Sequence, residues 1–289
     1  MPPKRKNLLV RTATGAVYIA LMIAGVFCYP LMAVLMCVLA CLAIREFMGL
    51  TSGPADQIAN ILLTVVAATQ FIVLLIYGVT SSNPIGLFEM IRWSKILLML
   101  MPLLLLFTIV VMSITELFRN RPCPIEHIGQ ALFGLCWIVF PLGILTFCTS
   151  FAKQFILAFF LVIWCYDTFA YLGGSLYGKT KMCQRISPKK TWEGTVTGLL
   201  AAVILAIVLP SIPFFGHLHI ATGKWVVFAL ITVVFGTFGD LLESCFKRRA
   251  DVKDSSHILP GHGGILDRLD SMLFSAIPAI LFAYFVMLQ

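Results

Sequence analysis

Asp240, Asp267 and Asp270 stand where apolar runs end or begin, and carboxylates so placed are the ligands a hard divalent cation takes. They fall within Gly239–Asp270, a stretch that holds six of the chain's 13 acidic residues (Asp240, Glu243, Asp251, Asp254, Asp267, Asp270). Lys247, Arg248, Arg249, Lys253 and Arg268, five of its 21 cations, lie there too. Mg²⁺ prefers a few carboxylates, with waters and substrate phosphates completing its octahedron. Asp240 and Asp267, at the ends of adjacent apolar segments, meet that need, and no histidine or cysteine cluster competes for zinc. If the helix of Trp225–Phe238 continues, Asp240, Glu243, Ser244 and Lys247 share one face at steps of three and four. The plainer alternative is an acid–base stripe solvated at a membrane interface.

Three further stretches add polar chemistry. Asp167, in Ile163-W-C-Y-D-T-F-A-Y-L-G-G, is flanked by apolar residues on both sides. A carboxylate there is costly unless it faces a cavity, a metal or a cation; a helix–helix hydrogen bond is the structural alternative. Ser187-Pro188 reads as a helix start, with serine as N-cap and proline as the first helical residue. That places Lys189, Lys190 and Thr191 in a first turn, where cations oppose the helix dipole unless an anion such as a polyphosphate is held there. Positive charge that fixes topology is the alternative, and Glu193 is free to pair with a lysine or reach a metal. Pro260-Gly261-His262-Gly263-Gly264 is a flexible turn whose glycines let backbone N–H groups approach an anion. His217 and His219 form an H-x-H pair without further ligands, read as incidental.

The elements that must position these residues are membrane helices. Hydrophobic residues make up 60% of the 289 and charged residues 12%, against roughly 45–50% and about 25% in soluble domains. The apolar runs predict an all-α polytopic membrane protein with about nine spans, near 11–29, 31–49, 58–80, 94–115, 130–149, 154–174, 195–212, 224–241 and 269–288. The basic N-terminus is read as leading into a retained first span rather than a cleaved signal. With the N-terminus cytoplasmic, only Arg92, Lys95, Lys153 and Lys224 of the 21 cations fall outside, which supports that orientation. The two charged loops, Gly173–Gly194 and Leu242–Arg268, then face the cytoplasm, and the active site with them. Residues 1–150 read as a scaffold of about five helices and 151–289 as a catalytic region of about four, integrated in one membrane domain. The net charge of +8 is explained by basic loops near anionic lipid. No basic, aromatic-interleaved module points to nucleic acid. The nine cysteines show no C-x-x-C pair and no disulfide framework.

The stretch S-C-F-K-R-R-A-D-V-K-D-S-S-H-I-L-P-G-H-G-G-I-L-D-R-L-D, Ser244–Asp270, closely resembles the signature of the phosphatidate cytidylyltransferase (CDP-diacylglycerol synthase) family, bacterial type. That signature runs S-x-x-K-R, K-D, a small residue, P-G-H-G-G and D-R-x-D. Y-D-T-F-A-Y-L-G-G and R-I-S-P-K-K-T-W-E-G also look like a characteristic region of the family. The resemblance covers about residues 160–289; ahead of that only the hydrophobic pattern is similar. Ser255-Ser256-His257 departs slightly, where the family more often has a glycine or other small residue.

The resemblance implies transfer of CMP from CTP to phosphatidic acid, giving CDP-diacylglycerol and pyrophosphate. It implies Mg²⁺ with a second cation such as K⁺, a multi-pass protein of the cell inner membrane, and a homodimer among membrane lipids. Asp240 and Asp267 match the family's metal-binding acids, with Asp167 and Asp270 in support. Lys189, Lys190, Lys247, Arg248 and Arg268 are then expected to hold the triphosphate or the lipid phosphate. Ser187, Ser244 and the Gly261-His262-Gly263-Gly264 turn complete the substrate-binding set. Two rivals remain at this stage: a CTP-dependent polyisoprenoid-alcohol kinase, which would release CDP, and a secondary transporter using Asp167 and Asp240 as coupling-ion ligands.

Overall fold

The computed structural model describes residues 3–51, 57–81, 87–119, 123–256, 258 and 263–287. Its helices are α1 (Pro3–Phe27), α2 (Tyr29–Thr51), α3 (Gln57–Ser81), α4 (Leu87–Arg119), α5 (Pro124–Thr149), α6 (Lys153–Tyr177), α7 (Trp192–Val208), α8 (Thr222–Arg249) and α9 (Leu266–Phe282). Among the described residues, eight helices are long and apolar enough to cross a bilayer. They coincide with the second to ninth expected spans. The first expected span falls on α1, whose apolar part, Thr12–Phe27, is shorter than the other eight. The chain is an all-α polytopic membrane protein.

The chain divides into two compact units, Met1–Phe151 with Asp254–Leu266, and Ala152–Lys253 with Asp267–Gln289. In the first unit, α2 buries Met32, Met36, Leu39, Ala40, Ala43 and Phe47, a face at helical spacing. The Phe47 ring lies 5.8 Å from those of both Phe133 and Trp137. α5 carries a π-helical turn at Leu135–Val139, which shifts the backbone register locally. Gln70, fully buried on α3, donates from Nε2 to the Val139 carbonyl at 3.3 Å.

In the second unit, α7 buries Gly194, Gly198, Ala202 and Ala206, one small residue every four. Lipid offers no hydrophobic drive for helix pairing, so close backbone packing must do it, and small residues permit that approach. A Cβ on Gly194 would sit 2.6 Å from the Ala170 carbonyl, and one on Gly198 would sit 2.7 Å from that of Tyr166. The opposite face of α7 exposes Val196, Leu200, Ile204 and Ile207. Gly198→Val is expected to lose roughly 1–3 kcal/mol through overpacking, read as a lower melting temperature in detergent. Leu200→Val on the exposed face is the control and should melt as the wild type does.

Between α6 and α7 lies an antiparallel hairpin, β1 (Lys181–Cys183) with β2 (Ser187–Thr191), pairing Lys181 with Thr191 and Cys183 with Ser187. This corrects the expected helix start at Ser187-Pro188. Both Ser187 and Thr191 are capping residue types, but pairing with β1 claims Ser187 for the strand. Thr191 caps instead: it is extended (φ −127, ψ 150) and its Oγ1 accepts from Gly194 N at 3.3 Å. Lys189 and Lys190 are therefore strand residues, and the dipole argument for an anion does not apply to them.

Candidate active site

Helix α8 does continue through the charged sequence to Arg249, so Asp240, Glu243, Ser244 and Lys247 share a face as the spacing predicts. Neighbouring α9 is brought close by a glycine. A Cβ on Gly239 would overlap the Asp270 carbonyl oxygen and lie 2.8 Å from Phe274 Cβ. One turn earlier, a Cβ on Gly236 would make ordinary contact with Ser271 at 3.5 Å. The carboxylates of α8 and α9 converge because these backbones approach there.

They converge on a cavity of about 530 Å³. α6 contributes Asp167 to its wall, β2 contributes Ser187, Lys189 and Lys190, α8 contributes Asp240, and α9 contributes Asp267, Arg268 and Asp270. Eight of the residues singled out in the sequence thus line one cavity inside the second unit. The hairpin that carries the lysines is held at its base and at its turn. The Lys179 and Thr180 amides donate to the Glu193 carboxylate at 3.0–3.1 Å, so Glu193 is engaged by backbone N–H groups. Arg248 donates from Nε to the Ile186 carbonyl at 3.1 Å and from Nη1 to that of Val252 at 3.3 Å. It supports the hairpin turn and does not line the cavity.

Ion pairs organise the cavity floor. Lys190 Nζ lies 2.7 Å from Asp240 Oδ2 and donates to the Thr237 carbonyl at 3.4 Å. Thr237 Oγ1 donates to the Val233 carbonyl, which leaves the Tyr166 hydroxyl as the donor in their 2.7 Å bond. Ser244 donates to Asp240 Oδ1 at 3.3 Å. Lys247 Nζ sits 2.6 Å from both Glu243 Oε2 and Asp267 Oδ1. The Lys247 pairs are the enclosed ones, and removing one partner there leaves a charge uncompensated, which costs far more than an exposed pair contributes.

Ligand oxygens of Asp240, Glu243 and Asp270 lie within 4.8 Å of one another. Glu243 is fully buried, with its Oε2 2.6 Å from the Lys247 ammonium. Like charges this close repel unless a cation joins them, and an all-oxygen donor set suits Mg²⁺. The residues present therefore fit a divalent ion. Asp267, one of the two acids first assigned to metal, lines the same cavity but is engaged by Lys247. Glu243 is not among the metal acids expected from the sequence, although it stands three residues from Asp240. His217, by contrast, spends its ring nitrogens on the Pro213 carbonyl at 2.7 Å and Gln154 Nε2 at 3.4 Å. Gly263 (φ 80) and Gly264 belong to the first unit's 254–266 segment, and Gly261 and His262 lie outside the described residues.

The family model for cytidylyltransferases matches residues 9–287. The chain belongs to the cytidylyltransferase family. Among its relatives in that family is the phosphatidate cytidylyltransferase of Rickettsia felis, 39% identical over 163 residues, which cover 54% of this chain and 71% of the relative. That of Staphylococcus saprophyticus is 40% identical over 171 residues, 59% of this chain and 64% of the relative. That of Haemophilus influenzae is 42% identical over 132 residues, 45% of each. Within this cytidylyltransferase, Glu46 is the acid that sequence reasoning passed over altogether. A lone carboxylate inside an apolar run is a signal in itself, and the structure surrounds it with hydrogen-bond donors.

Proposed function

We propose that this chain transfers CMP from CTP to phosphatidic acid, releasing pyrophosphate and leaving CDP-diacylglycerol in the membrane. The observation that carries the reading is that Asp240 and Asp270 line one cavity with Lys190 and Arg268, with Glu243 buried beside the two acids, in a cytidylyltransferase built of membrane helices.

The reaction joins a phosphate oxygen of phosphatidate to the α-phosphorus of CTP and breaks the bond from that phosphorus to the β-phosphate oxygen. The attacking oxygen is already anionic, so little general-base work is needed. The barrier is dominated by repulsion between anions and by charge gathering on the departing pyrophosphate. Lys189, Lys190 and Arg268 bring positive charge to the cavity wall and hold the phosphates. Asp240, Glu243 and Asp270 would hold Mg²⁺; when bound, the ion would neutralise phosphate charge as a Lewis acid. A second cation such as K⁺ would be left to Asp167 and Asp267, which line the same cavity. Tyr166, through Thr237, fixes the backbone carbonyl that receives Lys190, and so orients the lysine.

The lipid phosphate enters at headgroup depth while its acyl chains stay among the helices. The basic loops support a cytoplasmic site and an N-terminus on the same side, in the cell inner membrane. The working unit is taken to be a homodimer. Purified protein given labelled CTP, phosphatidate and Mg²⁺ should form CDP-diacylglycerol and pyrophosphate in equal amounts, and neither without Mg²⁺. Release of CDP with a phosphorylated lipid would instead mark a kinase, and ion-coupled uptake into vesicles without CTP would mark a transporter.

A further inference from the structure

Glu46 lies in α2, in the sequence Ile44-Arg45-Glu46-Phe47, and is only 5% exposed. A carboxylate buried in an apolar helix is tolerated only when donors or cations meet it. Four donors do. Oε2 accepts from Ser255 Oγ at 2.7 Å and from Leu266 N at 2.8 Å. Oε1 accepts from Ser256 Oγ at 2.6 Å and from Ile265 N at 2.9 Å. Each oxygen takes one hydroxyl and one backbone amide, which uses the four lone-pair positions of an ionised carboxylate. Gly264 is packed against the same group, since a Cβ there would meet the Ser255 hydroxyl and the Glu46 carboxylate. All these residues belong to the first unit.

The donors are paired in a way that matters. Ser255 and Ser256 lie before residues 257–264 in the chain, and Ile265 and Leu266 lie after them. One side chain therefore ties the Ser255 and Ser256 hydroxyls to the Ile265 and Leu266 amides across that stretch. The next residues in the chain are Asp267 and Arg268. Backbone amides cannot turn away when an acceptor is lost, whereas serine hydroxyls can rotate to accept instead. The Ile265 and Leu266 amides are consequently the donors most dependent on Glu46.

We propose that Glu46 is a positioning residue for cytidylyl transfer: its carboxylate fixes the backbone that runs directly into Asp267 and Arg268. This inference rests on the role given to those two residues under Proposed function. Glu46 touches neither substrate nor metal in this account. Its contribution is geometric, and misplacing reacting groups by about 1 Å costs on the order of 10²-fold in rate.

The experiment compares Glu46→Gln, Glu46→Asp and the double variant Ser255→Ala/Ser256→Ala in purified full-length protein. Glu46→Gln keeps the size but replaces one acceptor oxygen with a donor N–H, so one backbone amide faces another donor. It should lower kcat by on the order of 10²-fold, with KM for CTP and phosphatidate little changed and the melting temperature close to wild type. Hydrogen exchange at the Ile265 and Leu266 amides should quicken. Glu46→Asp, which keeps the charge on a shorter arm, should recover part of kcat. The double serine variant should stay within a few-fold of wild type, because both amides keep their acceptor. Wild-type kcat in Glu46→Gln overturns the proposal, as does a loss of kcat fully matched by loss of folded protein. If the wild type makes no CDP-diacylglycerol, the functional reading has failed. The exchange rates then decide alone whether Glu46 holds this backbone, with unchanged protection in Glu46→Gln counting against it.

Discussion

Asp240→Asn is expected to reduce CTP-dependent turnover by about 10³-fold or more while the protein still folds and inserts. The substitution keeps shape and removes one negative charge from the Asp240, Glu243 and Asp270 trio. A cation coordinated by the remaining acids is held less tightly and in altered geometry. Loss of several kcal/mol of transition-state charge stabilisation is then expected, and each 1.36 kcal/mol is tenfold in rate. A second effect adds to it. Lys190 Nζ, 2.7 Å from Asp240 Oδ2, loses its ionic partner and is held only by the Thr237 carbonyl at 3.4 Å. Folding should suffer little, because the Asp240 side chain is 30% exposed and its asparagine replacement can still accept from Ser244. The measurement is turnover across a Mg²⁺ titration, beside a melting curve. Turnover equal to wild type at low Mg²⁺ would remove Asp240 from the ion-binding set.

The second large effect is expected from a residue with no side chain. Gly239→Val should depress kcat by on the order of 10²-fold without preventing insertion. The atoms a Cβ would meet are the Asp270 backbone carbonyl and Phe274 Cβ. Neither is the end of a flexible chain, so α8 and α9 must separate. Separation moves Asp240 and Glu243 away from Asp270 and opens the trio. Gly236→Ala is the matched control on the same face, since its Cβ would find Ser271 at an ordinary 3.5 Å. If both variants behave as wild type, the close helix crossing is not what assembles the acids.

Much of this arrangement was legible from sequence because the signals are local. The three- and four-residue steps from Asp240 to Lys247 already imply a common face once α8 runs to Arg249. Charge at the ends of apolar runs marks Asp167, Asp240 and Asp267 as expensive to bury without purpose. What could not be read depends on distant partners. Ser187-Pro188 and Thr191 carry competing cap signals, and only pairing with Lys181–Cys183 decides between them. Arg248 resembles a phosphate ligand by composition, yet the Ile186 carbonyl, 62 residues away in sequence, engages it. Glu46 is conspicuous as a lone acid, but its partners lie 209 to 220 residues further along the chain. The small residues of α7 at every fourth position were visible as well. Their purpose emerges only against the Tyr166 and Ala170 carbonyls.

The ammonium of Lys247, 2.6 Å from Glu243 and equally close to Asp267, bridges α8 to α9 before any divalent ion is considered. It keeps two mutually repelling acids at short range. The two helices therefore carry an electrostatic frame assembled by the chain itself rather than scattered charges that a ligand must gather.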